Sequence, residues 1–472
     1  MIRAIKALFK SKPKVVTRFA PSPTGYFHAG SYRTAVFSYI YAKQHEGKFI
    51  LRIEDTDRAR SKKEYEENIV ESLQWLGIPY DEIHRQSDRT DIYREHLERL
   101  IAEDKAYVSK EEAKEGGEGE RRTEVIRFRN PNKKVRFHDL IRGDIEFDTT
   151  ELGDFVIAKS VTEPIFHFVV VLDDYLMGVT HVIRGEDHIS NTPRQILIQE
   201  ALNAPEPIYA HLPLVLAHDR SKLSKRHGAK PMTHYRDQGY IPSALLNYMC
   251  LLGWNPGTTE EIFDLAGLIK AFDLSKVQKG GGIFNEEKLR WVNKEHLKRL
   301  PRQEFAKKAR EIVGSTDRAK DLKWDVSEEK IERLAPVLLD RIETYNDIKT
   351  MVESLDLDYF FGDPVYDAIS LKWKTDSDLS GAEKHLGFIR TALKGLSDAK
   401  WNEASVKALV WPYAEAEGRG QVLWPFRFAL SGKDKSPNPF TLAEILGKAE
   451  TVKRLEAALT KCSLAAKPVE TA

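Results

Sequence analysis

The sequence predicts an α/β fold split by an α/β insertion and followed by a mostly α-helical second half. Three observations carry this reading. Strand-like and helix-like stretches alternate from Val15 to Asp57. A charged, glycine-rich stretch breaks the pattern after Ser109. Beyond His227 the apolar residues recur mostly at helical spacing.

In chain order, the apolar run from Val15 reads as a short buried strand ending at Phe19, and Pro21 to Gly25 as a tight turn. Ser31 to Gln44 reads as a helix, with Ala35, Val36, Tyr39 and Ile40 on one side and Ser31 as its cap. A second strand, Phe49–Ile53, completes the start of a βαβ unit. Helices follow at Lys62–Leu76, through Tyr65, Ile69, Leu73 and Leu76, and at Arg94–Glu103. Lys110 to Arg122 is poor in apolar residues and reads as a mobile loop or a reduced insertion. Strands are expected at Val125–Phe128, Val135–Phe137 and Phe155–Lys159. The densest apolar run, Ile165 to Leu172, reads as a buried central strand, leading through Asp173 and Asp174 to another at Val179–Arg184. A helix is expected at Asn191–Leu202. The later helices are Asp321–Leu339, Leu379–Leu396, Glu403–Glu417 and Leu442–Leu459, with no internal repeat.

Composition narrows the function classes. With 41% hydrophobic and 31% charged residues and a mean hydropathy of −0.46, the chain is globular in character. No apolar run approaches the ~20 residues that span a bilayer, so no membrane role is expected. Residues 1–14 carry Lys6, Lys10, Lys12 and Lys14 without a long apolar core, and read as a basic tail rather than a secretory leader. Cys250 and Cys462, the two cysteines, suggest no disulfide framework and fit a cytoplasmic location. The net charge of +1 does not advertise a nucleic-acid partner, so any such surface must be local. Asn285 to Arg310, with nine Lys/Arg against four Glu, is one candidate, a solvated helix face being the other reading.

Two segments carry chemistry. At Arg18-Phe-Ala-Pro-Ser-Pro-Thr-Gly-Tyr-Phe-His28-Ala-Gly30-Ser31 a strand, a turn and a helix start follow one another. The free N–H groups and positive dipole end of such a helix attract an anion. His28 can donate to a phosphate, and Gly30 lets a ring approach the backbone. The second segment, Ser221-Lys222-Leu223-Ser224-Lys225-Arg226-His227-Gly228, interleaves cations with serines. Lysines of this kind act as point charges on a leaving polyphosphate, although a solvated basic loop has the same composition.

Taken together, the two segments resemble the signatures of the class I aminoacyl-tRNA synthetases, and within them the glutamyl family of bacterial type. Arg52-Ile-Glu-Asp-Thr-Asp57, His181-Val-Ile-Arg-Gly-Glu-Asp-His188, Asn191-Thr-Pro-Arg-Gln195, Leu252-Gly-Trp254 and Phe284-Asn-Glu-Glu-Lys-Leu-Arg-Trp291 are similar to that family as well. The likeness is specific from Val15 to Leu297 and looser beyond, where Trp424-Pro-Phe-Arg-Phe-Ala-Leu-Ser-Gly432 keeps it.

The resemblance implies a Rossmann-like catalytic domain at 15–104 and 164–232, split by an acceptor-binding insertion at 105–163. It further implies a stem-contact domain at 233–323 and an α-helical anticodon-binding region at 324–472. The implied activity is ligation of glutamate to tRNA(Glu) through a glutamyl-adenylate, by a monomer using ATP with Mg²⁺. An enzyme that also, or mainly, charges tRNA(Gln) is the nearest alternative; a nucleotidyltransferase with a small-molecule acceptor is a more distant one. The resemblance gives His28, Lys222 and Lys225 catalytic roles on the phosphates. It gives Pro21, Gly25, Gly30, Ser31 and Ser224 to the ATP site, and Arg18, Ser22, Glu54, Phe166 and Arg184 to the amino acid. Guanidiniums suit the two carboxylates of glutamate, and Glu54 suits its ammonium. Lys448, Lys453 and Arg454 are candidates for phosphate contact in the C-terminal region.

The chain departs from the family at several points: Ala29 and Ser31 stand where its first signature usually has Ile and a second His, an ordinary variation, and two further departures bear on function. Phe166 stands where the family usually has Tyr, losing a hydroxyl that contacts the amino acid; either His167 or a nearby polar group compensates, or glutamate binds more weakly. The insertion carries no cysteine, where many relatives have Cys/His zinc ligands, so no zinc and no other protein-held metal is expected.

Overall fold

The structure, a computed structural model, describes residues 14–110, 124–223 and 230–465. The basic tail up to residue 13, the 111–123 stretch read as a loop, and Ser224 and Lys225 lie outside the described residues. The chain forms two compact units, one through His296 and the other from Leu297.

The first unit is built on a seven-stranded sheet. Its first elements are β1 (Val16–Phe19), α1 (Ala29–Gln44), β2 (Lys48–Ile53), α2 (Lys63–Trp75), β3 (Glu82–Arg85) and α3 (Thr90–Ala102). Then come β4 (Ala106–Lys110), β5 (Glu124–Phe128), β6 (Lys134–Asp139), β7 (Gly143–Asp148), β8 (Phe155–Ser160) and β9 (Glu163–Pro164). The α/β pattern resumes with α4 (Phe166–Leu176), β10 (His181–Gly185), α5 (Thr192–Ala201), β11 (Ile208–Leu212) and β12 (Val215–Leu216). The order across the large sheet is β3-β2-β1-β10-β11-β6-β7, parallel except for the β6–β7 hairpin. From β1 the chain proceeds to β2 on one side, and from β10 to β11 on the other. The crevice beyond the carboxyl ends of β1 and β10 is therefore a topological switch point, where open α/β sheets bind ligands.

The residues between the two α/β stretches divide. Strands β4, β5, β8 and β9 form a separate antiparallel sheet. The β6–β7 hairpin instead extends the large sheet, with Asp139 in register with Tyr209.

Two sequence expectations are corrected. Ile165 to Leu172 is not a strand: Phe166–Leu176 is the helix α4, and Phe168 through Asp174 are all buried. A continuous apolar run suits a helix buried all round as well as a strand buried on both faces. Packing decided between them, with Phe168, Val169 and Leu172 each contributing about 1.5–3 kcal/mol of burial. Gly178, at φ +65°, turns the chain out of the helix end. Ser31 is not a cap either. His28 is extended and precedes α1, which places Ser31 in the first turn.

Helices dominate the rest of this unit: α6 (Met232–Asp237), α7 (Pro242–Leu251) and α8 (Leu265–Ala271), then a short strand β13 (Gly282–Ile283) paired with β12, then α9 (Glu286–Arg299). The second unit is helical: α10 (Arg302–Ser315), α11 (Asp317–Asp321), α12 (Glu328–Arg341), α13 (Tyr345–Glu353), α14 (Asp358–Phe361), α15 (Ser380–Lys394), α16 (Glu403–Glu417), α17 (Arg419–Ser431) and α18 (Pro439–Ala465). The first expected helix there begins late, at Glu328, and the last is broken at Gly447, φ +79°. Among the described residues no helix is long and apolar enough to cross a membrane. Cys250 and Cys462 are free and buried.

Candidate active site

A cavity of about 620 Å³ occupies the switch point. The turn after β1, the first turns of α1 and α4, the end of β10 and the segment around β12 form its walls. It brings together Arg18, Pro21, Ser22, His28, Gly30, Ser31, Glu54, Phe166, Arg184 and Lys222 from the sequence reading. Gly25 does not line it. The small residue at position 30 has a local cause: a Cβ there would press on the His28 ring at 3.3 Å.

Parallel pairing of β1 with β10 puts the two cavity guanidiniums on neighbouring strands. Arg18 donates through Nε to Asp174 Oδ1 at 3.1 Å and through Nη1 to the Ile183 carbonyl at 3.3 Å. Arg184 donates through Nε to His211 Nε2 at 3.1 Å and through Nη2 to Thr192 Oγ1 at 2.9 Å. Both side chains are buried. Burial lowers the Arg184 guanidinium to about 10, with Tyr209 opposing the shift and the charge of Arg18 adding to it.

Beneath them lies a network of buried charge. Arg52 donates to Asp174 Oδ1 at 2.7 Å and to Glu54 Oε1 at 3.2 Å. Burial works against the charge on Arg52, yet Asp174, Glu54 and Asp173 hold its pKa above the usual value. Burial likewise pushes the Glu54 carboxyl up, with Arg52 and Arg18 opposing. At Asp174 the two arginines outweigh burial and keep the carboxyl low. Asp173 accepts from Arg89 at 2.7 Å, Tyr93 at 2.8 Å and Gln86 at 3.1 Å.

The wall at Phe166 is apolar, with His188 packed against it at a ring distance of 5.6 Å. The His167 ring also lies 5.5 Å from Phe166, but of the two histidines only His188 lines the cavity. Burial lowers His188 to about 4, with Arg184 adding to the shift, and it stands neutral at physiological pH. Lys222, also in the lining, pairs with Asp187 at 2.8 Å. Lys222 and Leu223 line the cavity on one side of 224–229; on the other, Pro231 bridges to the lining residue His28 and Met232 N–H donates to the Phe27 carbonyl at 2.8 Å.

Sequence reasoning missed Arg52, Asp173, Asp174, Asp187, His188 and His211. The signal for the Asp pair was present: two carboxylates directly after a buried apolar run must find cationic partners. Of the three C-terminal candidates, burial corrects Arg454 alone; Lys448 and Lys453 keep partly exposed side chains. Arg454 is buried and donates to the carbonyls of Tyr359 and Gly362, Lys448 donates to the Leu396 carbonyl at 2.6 Å, and Lys453 pairs with Asp363 at 2.7 Å. Trp373, Arg419, Trp424 and Arg427 instead line a second cavity of about 650 Å³, with the Arg427 guanidinium 5.1 Å from the Trp424 ring centre. Among the described residues no group of three or more His, Cys, Asp or Glu could hold a metal ion.

Residues 14–115 and 108–291 match the family model described as tRNA synthetases class I (E and Q), catalytic domain, and 304–459 match an anticodon binding domain. A glutamate–tRNA ligase from Aquifex aeolicus is 46% identical over 376 residues, 70% of this chain and 80% of that protein. One from Petrotoga mobilis is 39% identical over 466 residues, 94% of this chain and 97% of that protein. The crystal structure of a glutamate tRNA ligase from Elizabethkingia meningosepticum, in complex with its amino acid, is similar at a TM-score of 0.79 and 30% identity. The match covers 95% of this chain and 100% of that one.

Proposed function

Because the chain belongs to the class I tRNA synthetases of the E and Q group and works as a glutamate–tRNA ligase, we propose that the switch-point cavity holds both glutamate and ATP. The observation that carries this assignment is the convergence of Arg18, Arg184 and Glu54 in the same cavity as His28 and Gly30. Arg18 and Arg184 bind the two carboxylates, Glu54 and Ser22 the ammonium, and Phe166 forms the wall. Pro21, His28, Gly30 and Ser31 take ATP, which brings Mg²⁺ as part of the substrate.

The glutamate α-carboxylate attacks the α-phosphorus, the bond to the β-bridging oxygen breaks, and pyrophosphate leaves. The 2′-hydroxyl of the terminal tRNA adenosine then attacks the glutamyl carbonyl and AMP leaves. The protein contributes position and charge. Lys222, Ser224 and Lys225 belong to the leaving pyrophosphate. What supports them is that Lys222 lines the cavity and that Pro231, beyond the segment, bridges to the lining residue His28.

The tRNA acceptor end is assigned to 105–163, its stem to 233–323 and its anticodon to 324–472, where the Trp/Arg cavity suits an unstacked base. The enzyme works as a cytoplasmic monomer without zinc; stoichiometric zinc in the purified protein would correct the last point. Pyrophosphate exchange with glutamate and ATP, with and without tRNA, tests the reading. Exchange that ignores glutamate and requires another acceptor overturns it. Parallel charging of tRNA(Glu) and tRNA(Gln) decides the partner.

A further inference from the structure

We propose that Asp139 and His211 are positioning residues that set the orientation of Arg184 for the substrate carboxylate. This rests on the assignment of Arg184 to glutamate. His211 is the register partner of Arg184 on the adjacent parallel strand, and Asp139 reaches it from the β6–β7 hairpin. Arg184 Nε meets His211 Nε2 at 3.1 Å, and His211 Nδ1 meets Asp139 Oδ2 at 2.7 Å. A guanidinium only donates and a carboxylate only accepts, so the imidazole is neutral, with its proton on Nδ1 and its lone pair toward Arg184.

Asp139 is fixed in turn. Its Oδ1 accepts from the backbone N–H groups of Ile141 and Arg142 at 2.9 and 2.8 Å, and its Oδ2 from that of His211 at 3.0 Å. With Nε on His211 and Nη2 on Thr192, the inner edge of the guanidinium is committed to protein. Its outer fork, Nη1 with the second hydrogen of Nη2, is the edge left for a bidentate carboxylate. The insertion thus reaches the amino-acid site through one hairpin residue and one imidazole. Burial and the Arg184 charge depress the pKa of His211 against the pull of Asp139, which agrees with the neutral tautomer.

The test measures aminoacylation by the full chain, with KM for glutamate and for ATP, in Asp139→Asn, His211→Leu, His211→Gln and Arg184→Gln. Asp139→Asn turns an amide donor toward its surrounding N–H groups or forces the other tautomer, which sets N–H against N–H at Arg184. His211→Leu removes the acceptor. Both raise KM for glutamate by about 10-fold or more and leave KM for ATP within about two-fold. His211→Gln, whose amide oxygen can accept from Nε, returns KM for glutamate to within about three-fold of the parent. In ¹⁵N-histidine-labelled protein, a signal of the Nδ1–H tautomer disappears in His211→Gln and shifts in Asp139→Asn.

A raised KM in Arg184→Gln with unchanged values in Asp139→Asn and His211→Leu overturns the positioning role alone. An unchanged KM in Arg184→Gln overturns the glutamate assignment and this proposal with it. Equal increases for glutamate and ATP mark general loss of the site and also overturn it. Should His211→Leu fail to fold, His211→Gln and Asp139→Asn with the nitrogen spectra decide.

Discussion

Arg52 and Asp174 meet at 2.7 Å beneath the cavity, with side chains 0% and 8% exposed, and the same Asp174 oxygen holds Arg18. One carboxylate thus pairs with both guanidiniums and orients Arg18, one of the two proposed for glutamate. Asp174→Ala is expected to cost about 3–5 kcal/mol of stability, because it strands buried positive charge. Denaturant unfolding measures the loss. A variant as stable as the parent shows that Arg52 and Arg18 find other partners.

Phe166→Tyr restores the hydroxyl that the family usually places opposite Arg18. A hydrogen bond to a charged substrate group of that kind lowers KM for glutamate by about 5-fold or more. Steady-state kinetics checks it. An unchanged KM indicates that His188 already serves in its place.

Lys225→Ala removes an ammonium assigned to the leaving pyrophosphate. Glutamate-dependent pyrophosphate exchange should fall by about 10²-fold or more, with tRNA affinity unchanged. Exchange within about three-fold of the parent removes the assignment of this residue.

Acid should weaken the first unit. Burial depresses His167, His181 and His188 to about 4 each, from an ordinary value of 6.5. The unfolded chain therefore binds more protons than the folded one between these values. Stability is complete above 6.5 and falls as pH drops toward 4, by about 2 kcal/mol for a site such as His181. His181 sits between Tyr41 and Thr180, at 3.3 and 2.9 Å, away from the cavity lining. Replacing it with Gln should flatten the fall in Tm between pH 7 and 5. A parallel fall in both proteins assigns the acid sensitivity elsewhere.

Much of the fold was legible because its signals are local. The alternation at β1, α1 and β2 follows directly from residue order, and Glu403–Glu417 is a helix with the expected bounds. That Arg18, His28, Glu54 and Arg184 share a cavity was legible because each sits at a strand end or turn inside a recognisable motif. What escaped was non-local. The apolar run at Ile165 carries no period that separates a strand from a buried helix. The pairing of Asp139 with His211, 72 residues later, depends on the β6–β7 hairpin joining the edge of the large sheet.

The sequence by itself determined the chemical inventory: a strand, turn and helix start suited to a phosphate, arginines and a carboxylate suited to a dicarboxylic amino acid, and the lysine segment. These are written in residue type and short spacing, which the backbone converts into local geometry without outside help. Only the tertiary structure decided which charges are neutralised, which edge of Arg184 stays available, and which imidazole nitrogen carries the proton. Those outcomes depend on burial and on partners brought from distant segments, because a charge or hydrogen bond is worth most where water is excluded.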